Sequence, residues 1–140
     1  MGALRLKDTM LAIAAALEEA EVVEKAWPHP AAGQAGVGEV VIWYPPEISF
    51  DMTFGRGADT ATFPIYLLVG VAGDDTTLER LDELLGDGPS AVKTALERGD
   101  LGGLDQVISD LHVATGGVEV LEFDGGIRYA ALRFDAEVIS

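Results

Sequence analysis

A chain of 140 residues, 49% of them hydrophobic and with a mean hydropathy of +0.24, is long enough to bury a sizeable core as one domain, 1–140. Its 24 acidic and 9 basic residues give a formal charge of −15, which repels nucleic acid and anionic membranes and argues against direct phosphate binding. Zero cysteines exclude disulfides, thiolate zinc sites and a cysteine nucleophile, and no uncharged apolar run reaches the ~18 residues that suggest a membrane span.

The opening MGALRLKDTM lacks the layout of a signal peptide, and Leu6 stands where myristoylation needs Ser or Thr, so a soluble intracellular protein is expected. Asp8 is placed to cap a first helix over 9–20, where Met10, Ile13, Ala14 and Leu17 recur at helical spacing. A short strand is expected over 21–27, followed by the Pro- and Gly-rich loop WPHPAAGQAGVG. VVIWY, 40–44, reads as a strand stopped by Pro45 and Pro46. From 48 to 54 the alternation of Ile48, Phe50, Met52 and Phe54 with Ser49, Asp51 and Thr53 predicts a half-buried strand.

After Gly55-Arg56-Gly57-Ala58-Asp59, the segment 60–71 is apolar on both parities, as in a central strand covered on both faces. Pro64 cannot donate to a ladder and is expected on a free edge, at a bulge or at a strand start. Asp74 or Asp75 opens a helix with the capping box Thr76-x-x-Glu79 and Leu78, Leu81, Leu84 and Leu85 as its buried stripe, ended by Gly86. Gly88-Pro89 then starts a second helix that carries Val92, Ala95 and Leu96 inward. Strands are expected over 107–114 and 118–123, with Asp124-Gly125-Gly126 as the turn into a return strand over 127–139. The apolar parity of that strand switches near Ala131-Leu132, by a bulge or by burial on both faces. The expected order is α-β-β-β-β-α-α-β-β-β, an α+β domain whose helices pack on one face of a mostly antiparallel sheet.

The chemistry-bearing residues form no catalytic pattern. GRGADT lacks the spacing and lysine of a P-loop, and a strand pattern follows it rather than a helix, so it reads as a glycine-permitted connection. His29 and His112 stand outside any metal-ligand spacing, and no serine sits in a nucleophile elbow. Neither catalytic residues, nor a cofactor, nor a metal is expected, and the chain reads as a non-enzyme. The aromatics Trp27, Trp43, Tyr44 and Phe54 lie near Pro- and Gly-containing loops, where interface aromatics are common.

The blocks TFGRGADTATFP at 53–64 and GPSAVK at 88–93, with an Ala- and Leu-rich N-terminal helix and a DGG-joined strand pair, give the chain a family likeness. Over about Met10 to Val138 it resembles the tail terminator proteins of long-tailed, non-contractile phages of actinobacterial hosts. The resemblance implies an α/β or α+β domain that assembles as a homo-oligomeric ring, usually of six. Such a ring caps the tail tube, ends its polymerisation and offers the surface that joins tail to head. Implied partners are the tail tube protein and a neck or head-completion protein; DNA passes the channel without specific binding, and no membrane is involved. The implied location is the head-proximal end of the virion tail, after assembly in the host cytoplasm. Phe54, Gly55, Arg56, Gly57, Ala58, Asp59 and Thr60, with Trp43 and Tyr44, are the expected protein contact surface. A neck adaptor, or a small enzyme or ligand-binding domain using His112 with nearby acids, are the alternative readings.

Overall fold

A computed structural model describes residues 5–20, 25–28, 39–46, 48–49, 59–97, 103–104, 107–108, 110–122, 126 and 128–139. In chain order they form α1 (Leu6–Glu19), β1 (Ala26–Trp27), β2 (Val40–Ile42), β3 (Ile48–Ser49), β4 (Thr60–Val71), α2 (Asp75–Glu97), β5 (Asp110–Glu122) and β6 (Arg128–Ile139). The strands make one sheet in the order β1-β2-β4-β6-β5, with β3 pairing beside β2 on the same flank of β4. Only β1 and β2 are parallel; every other pair is antiparallel. The domain is therefore α+β, with its helices on one sheet face.

The apolar run of β4 explains its central place. Ala61, Phe63, Ile65, Leu67 and Val69 enter the main core with Met10, Ile13 and Leu17 of α1 and Val92, Ala95 and Leu96 of α2. Tyr66 and Leu68 point the other way, into a second cluster with Val41 and Ala131. Phe63, Phe134, Ile13, Leu17 and Ile65 are among the largest fully buried side chains, each contributing about 1.5–3 kcal/mol by leaving water.

Pro64 sits inside this central strand rather than at an edge or a start. Its carbonyl accepts the Trp43 N–H at 2.8 Å, so its nitrogen faces the same flank. On that flank β2 reaches Ile65 and β3 begins at Ala61, so the missing donor falls in the interval between them. The ladder to β6, where Pro64 lies opposite Asp135, keeps its bonds.

Several expectations are corrected. Helix α1 starts at Leu6 with Arg5 at its N-cap, and Asp8 lies inside the first turn, 3.7 Å from Arg5. One 23-residue helix replaces the expected pair, running through Gly86, Gly88 and Pro89. Packing overrides these local breakers, because Thr77 is buried near the start of α2 and Val92, Ala95 and Leu96 are buried near its end. At its start the Thr76 N–H donates to the Asp74 carboxylate at 3.0 Å, which makes Asp74 the cap.

Likewise one strand, β5, replaces two. Its register against β6 shifts between Thr115 and Gly117, and Gly117 has φ +104°, so the glycine pair is absorbed as a bulge rather than spent on a turn. Of the two proposed causes of the parity switch in β6, burial on both faces is the one found, and β6 runs through Ala131-Leu132 without a skipped residue. Ala130, Leu132, Phe134, Ala136 and Val138 face the helices, while Tyr129 and Ala131 face the second cluster. The bulge lies on the partner strand, where β4 shifts register between Leu68 and Gly70. The strand expected over 48–54 is described only as Ile48–Ser49, and that over 21–27 only as Ala26–Trp27, with Lys25 outside the strand; the remaining positions lie outside the described residues.

Candidate interaction surface

The sheet face opposite the helices changes character along its length. Across β4, β6 and β5 its rows read Thr62, Glu137 and His112; then Pro64, Asp135 and Ala114; then Tyr66, Arg133 and Gly117; then Leu68, Ala131 and Glu119. The first row is wholly polar, whereas the last two set Tyr66, Leu68 and Ala131 beside Arg133 and Glu119.

At the apolar end the aromatics foreseen in sequence converge. Trp43 is half-buried and meets Tyr66 edge-on, with centroids 5.8 Å apart and planes at 86°. Trp27 joins the same cluster, donates its indole N–H to Glu39 at 2.8 Å and carries the Lys25 ammonium 4.3 Å from its ring centroid. Arg133 closes the cluster, donating to Asp135 at 2.9 Å and to Glu119 at 3.1 Å. These hydrogen bonds, first that to Asp135, push the guanidinium pKa further up. Burial, then the charge and hydrogen bond of Glu119, pushes the Tyr66 phenol up as well. Tyr66 is thus a neutral group that holds the sheet face together.

Beyond the cluster, Tyr44 is 55% exposed. Thr60 is exposed at the first position of β4, paired with Ser49, and Asp59 beside it is half-buried. Phe54, Gly55, Arg56, Gly57 and Ala58 lie outside the described residues. The structure places Trp43 and Tyr44 on one side of β4 just after β2, and Asp59 and Thr60 at its start; Pro46 and Thr60 line one groove.

That groove, about 610 Å³, lies at the polar end and is lined by Thr60, Thr62, Asp110, His112 and Glu137 among others. His112 therefore lies near carboxylates, as the ligand-binding alternative requires, yet its side chain is 61% exposed. Its Nδ1 stands 3.2 Å from Glu97 Oε2, which also accepts Lys93 Nζ at 2.6 Å and the Val113 N–H at 2.9 Å. The Lys93 hydrogen bond, followed by that from Val113, lowers the Glu97 pKa. Thr62, a hydroxyl in the same row, is two strands away, about 10 Å between backbones, too far to share a proton with His112 directly. Glu97 acts here as a tie between the end of α2 and the outer edge of β5. Among the described residues no group of three or more His, Asp or Glu is arranged to hold a metal ion.

Sequence reasoning missed the exposed apolar residues Leu6, Leu11, Val118 and Val120, and Leu78, expected in the buried stripe of its helix, is 58% exposed. The signal for Leu11 was there, since it falls off the Met10-Ile13-Ala14-Leu17 stripe. Val118 and Val120 share a parity and carry no mark that separates an exposed pair from a buried one. No helix among the described residues is long and apolar enough to cross a membrane. No family model matches the chain, and no curated protein matches it.

Proposed function

We propose that this chain is a phage tail terminator, a structural protein that caps the tail tube as a homo-oligomeric ring of six and offers the head-joining surface. The observation that carries the reading is the resemblance over about Met10 to Val138, with its TFGRGADTATFP and GPSAVK blocks. The α+β fold agrees with the one that family implies. Support also comes from β5, which ends the sheet among the described residues, and from the apolar side chains left exposed on a chain of charge −15. An acidic channel wall would let DNA pass without adhering, because few cations are present to replace its counterions.

The test is to mix the purified protein with tail tube protein and image the tubes. Caps at one end only, arrested tube growth and an annular particle near six times the 14.7 kDa protomer are expected. Tubes that lengthen unchanged with bare ends overturn the reading, and capture of neck protein without tube protein replaces it with the neck adaptor. Arg56→Glu, in the contact loop the resemblance implies, is expected to weaken capping while the monomer stays folded.

A further inference from the structure

Two exposed apolar patches lie at opposite edges of the sheet. One is a groove of about 230 Å³ formed by Leu6, Lys7, Met10, Leu11, Pro28 and Tyr44, where α1 covers β1 and β2. Leu11 is 44% exposed there although it belongs to a helix whose other face is core. The second patch is on β5, the last strand at the other edge, where Val118 and Val120 are 48% and 57% exposed. Both valines stand on the helix-side face, opposite Leu132 and Ala130, beyond the Val113 position where Glu97 ties α2 to the strand.

The charges around the two patches differ in sign. The groove carries Lys7 and, with Arg5 already matched to Asp8, keeps one surplus cation. It also lies at the N-terminal end of α1, the positive end of the helix dipole, where no side chain caps the first turn. Around the two valines the β5 and β6 strands instead carry Glu119, Glu122 and Asp135 against Arg128 and Arg133. Both guanidiniums are engaged, Arg128 by Glu122 and Arg133 by Asp135 and Glu119, so the edge stays negative. A groove against a groove, or a β5 edge against a β5 edge, would oppose like charges on chains that already repel. Groove against edge pairs opposite charges and covers both apolar patches at once.

We infer that the occupant of the Leu6–Leu11–Tyr44 groove is the Val118–Val120 edge of a second copy of this chain, in a head-to-tail contact. Such a contact joins two different surfaces and leaves one of each free on a dimer, so that further copies add in the same sense. This rests on the self-association that the terminator reading requires and names the surfaces that make it.

The test uses Leu11→Glu and Val120→Glu in the full chain, followed by sedimentation velocity. The wild type is expected to associate, and each variant alone to associate about thirtyfold more weakly or worse. An equimolar mixture is expected to recover a dimer, because Leu11→Glu keeps an intact edge and Val120→Glu an intact groove. Circular dichroism and a thermal melt establish that each variant is folded. As the chain has no cysteine, Leu11→Cys mixed with Val120→Cys is also expected to give a disulfide-linked heterodimer under mild oxidation, with little of either homodimer. Variants that associate like the wild type overturn the seam and leave the ring reading standing. A folded mixture that stays monomeric, or a wild type monomeric at about 1 mM, overturns the seam too; tube capping then decides the terminator reading separately.

Discussion

Phe134 and Arg133 are neighbours on β6 that serve opposite faces of one sheet. Phe134 is almost wholly buried against the helices, among branched apolar side chains with no polar partner to find. Arg133 stands on the other face and spends its guanidinium on Asp135 and Glu119 beside Tyr66. One face is held by volume, the other by paired charge over an aromatic floor. The difference teaches where the stability of this domain resides, and why its chemistry-bearing residues gather on the face without helices.

Three substitutions probe this contrast. Phe134→Ala should cost about 3–5 kcal/mol in urea unfolding, since it opens a cavity that the β4 and α2 contacts hold apart. A loss below 1 kcal/mol would mean that the covered face is not the main core. Gly70→Ala should cost about 1–3 kcal/mol, because a Cβ there collides with the Thr77 hydroxyl where α2 packs on the bulged end of β4. Gly70→Ala combined with Thr77→Ala should recover most of that loss. Arg133→Met should cost about 1 kcal/mol at low salt and less at high salt, because the pairs it breaks are partly open to water.

The smallest effect concerns the tie at the β5 edge. The folded-state pKa of Glu97 is lowered, first by the Lys93 hydrogen bond and then by that from Val113. Its contribution is therefore complete above the ordinary glutamate range and fades as pH falls through the lower folded-state value. The melting temperature of Glu97→Gln should lie slightly below that of the wild type at neutral pH and converge with it in acid. A gap that widens on acidification would contradict this sign.

Much of the covered face was legible in the sequence. The span 60–71, apolar on both parities, became β4 with those bounds, and Met10, Ile13, Ala14 and Leu17 of α1 are buried as their spacing demanded. What failed was punctuation. Gly86, Gly88-Pro89 and the gap left between the strands expected over 107–114 and 118–123 read locally as breaks, yet α2 and β5 run through all of them. Long-range packing decides there, and neither propensity nor period contains it. The surface was legible in part. Trp43 and Tyr44 are found together after β2, whereas the convergence of Tyr66, Arg133, Glu119 and Asp135 depends on cross-strand register, which a single sequence does not display.

Pro64 has a consequence for how the sheet can go wrong. Successive residues of a strand aim their backbone donors at alternate flanks. Turning β4 over, or slipping it one residue against β6, would aim the proline nitrogen at β6 and delete a bond from one of the two longest pairings in the molecule. In the native arrangement that nitrogen meets only the interval between β2 and β3. One residue thus discriminates left from right for the central strand, and it does so through the backbone, independently of how the side chains pack on the two faces.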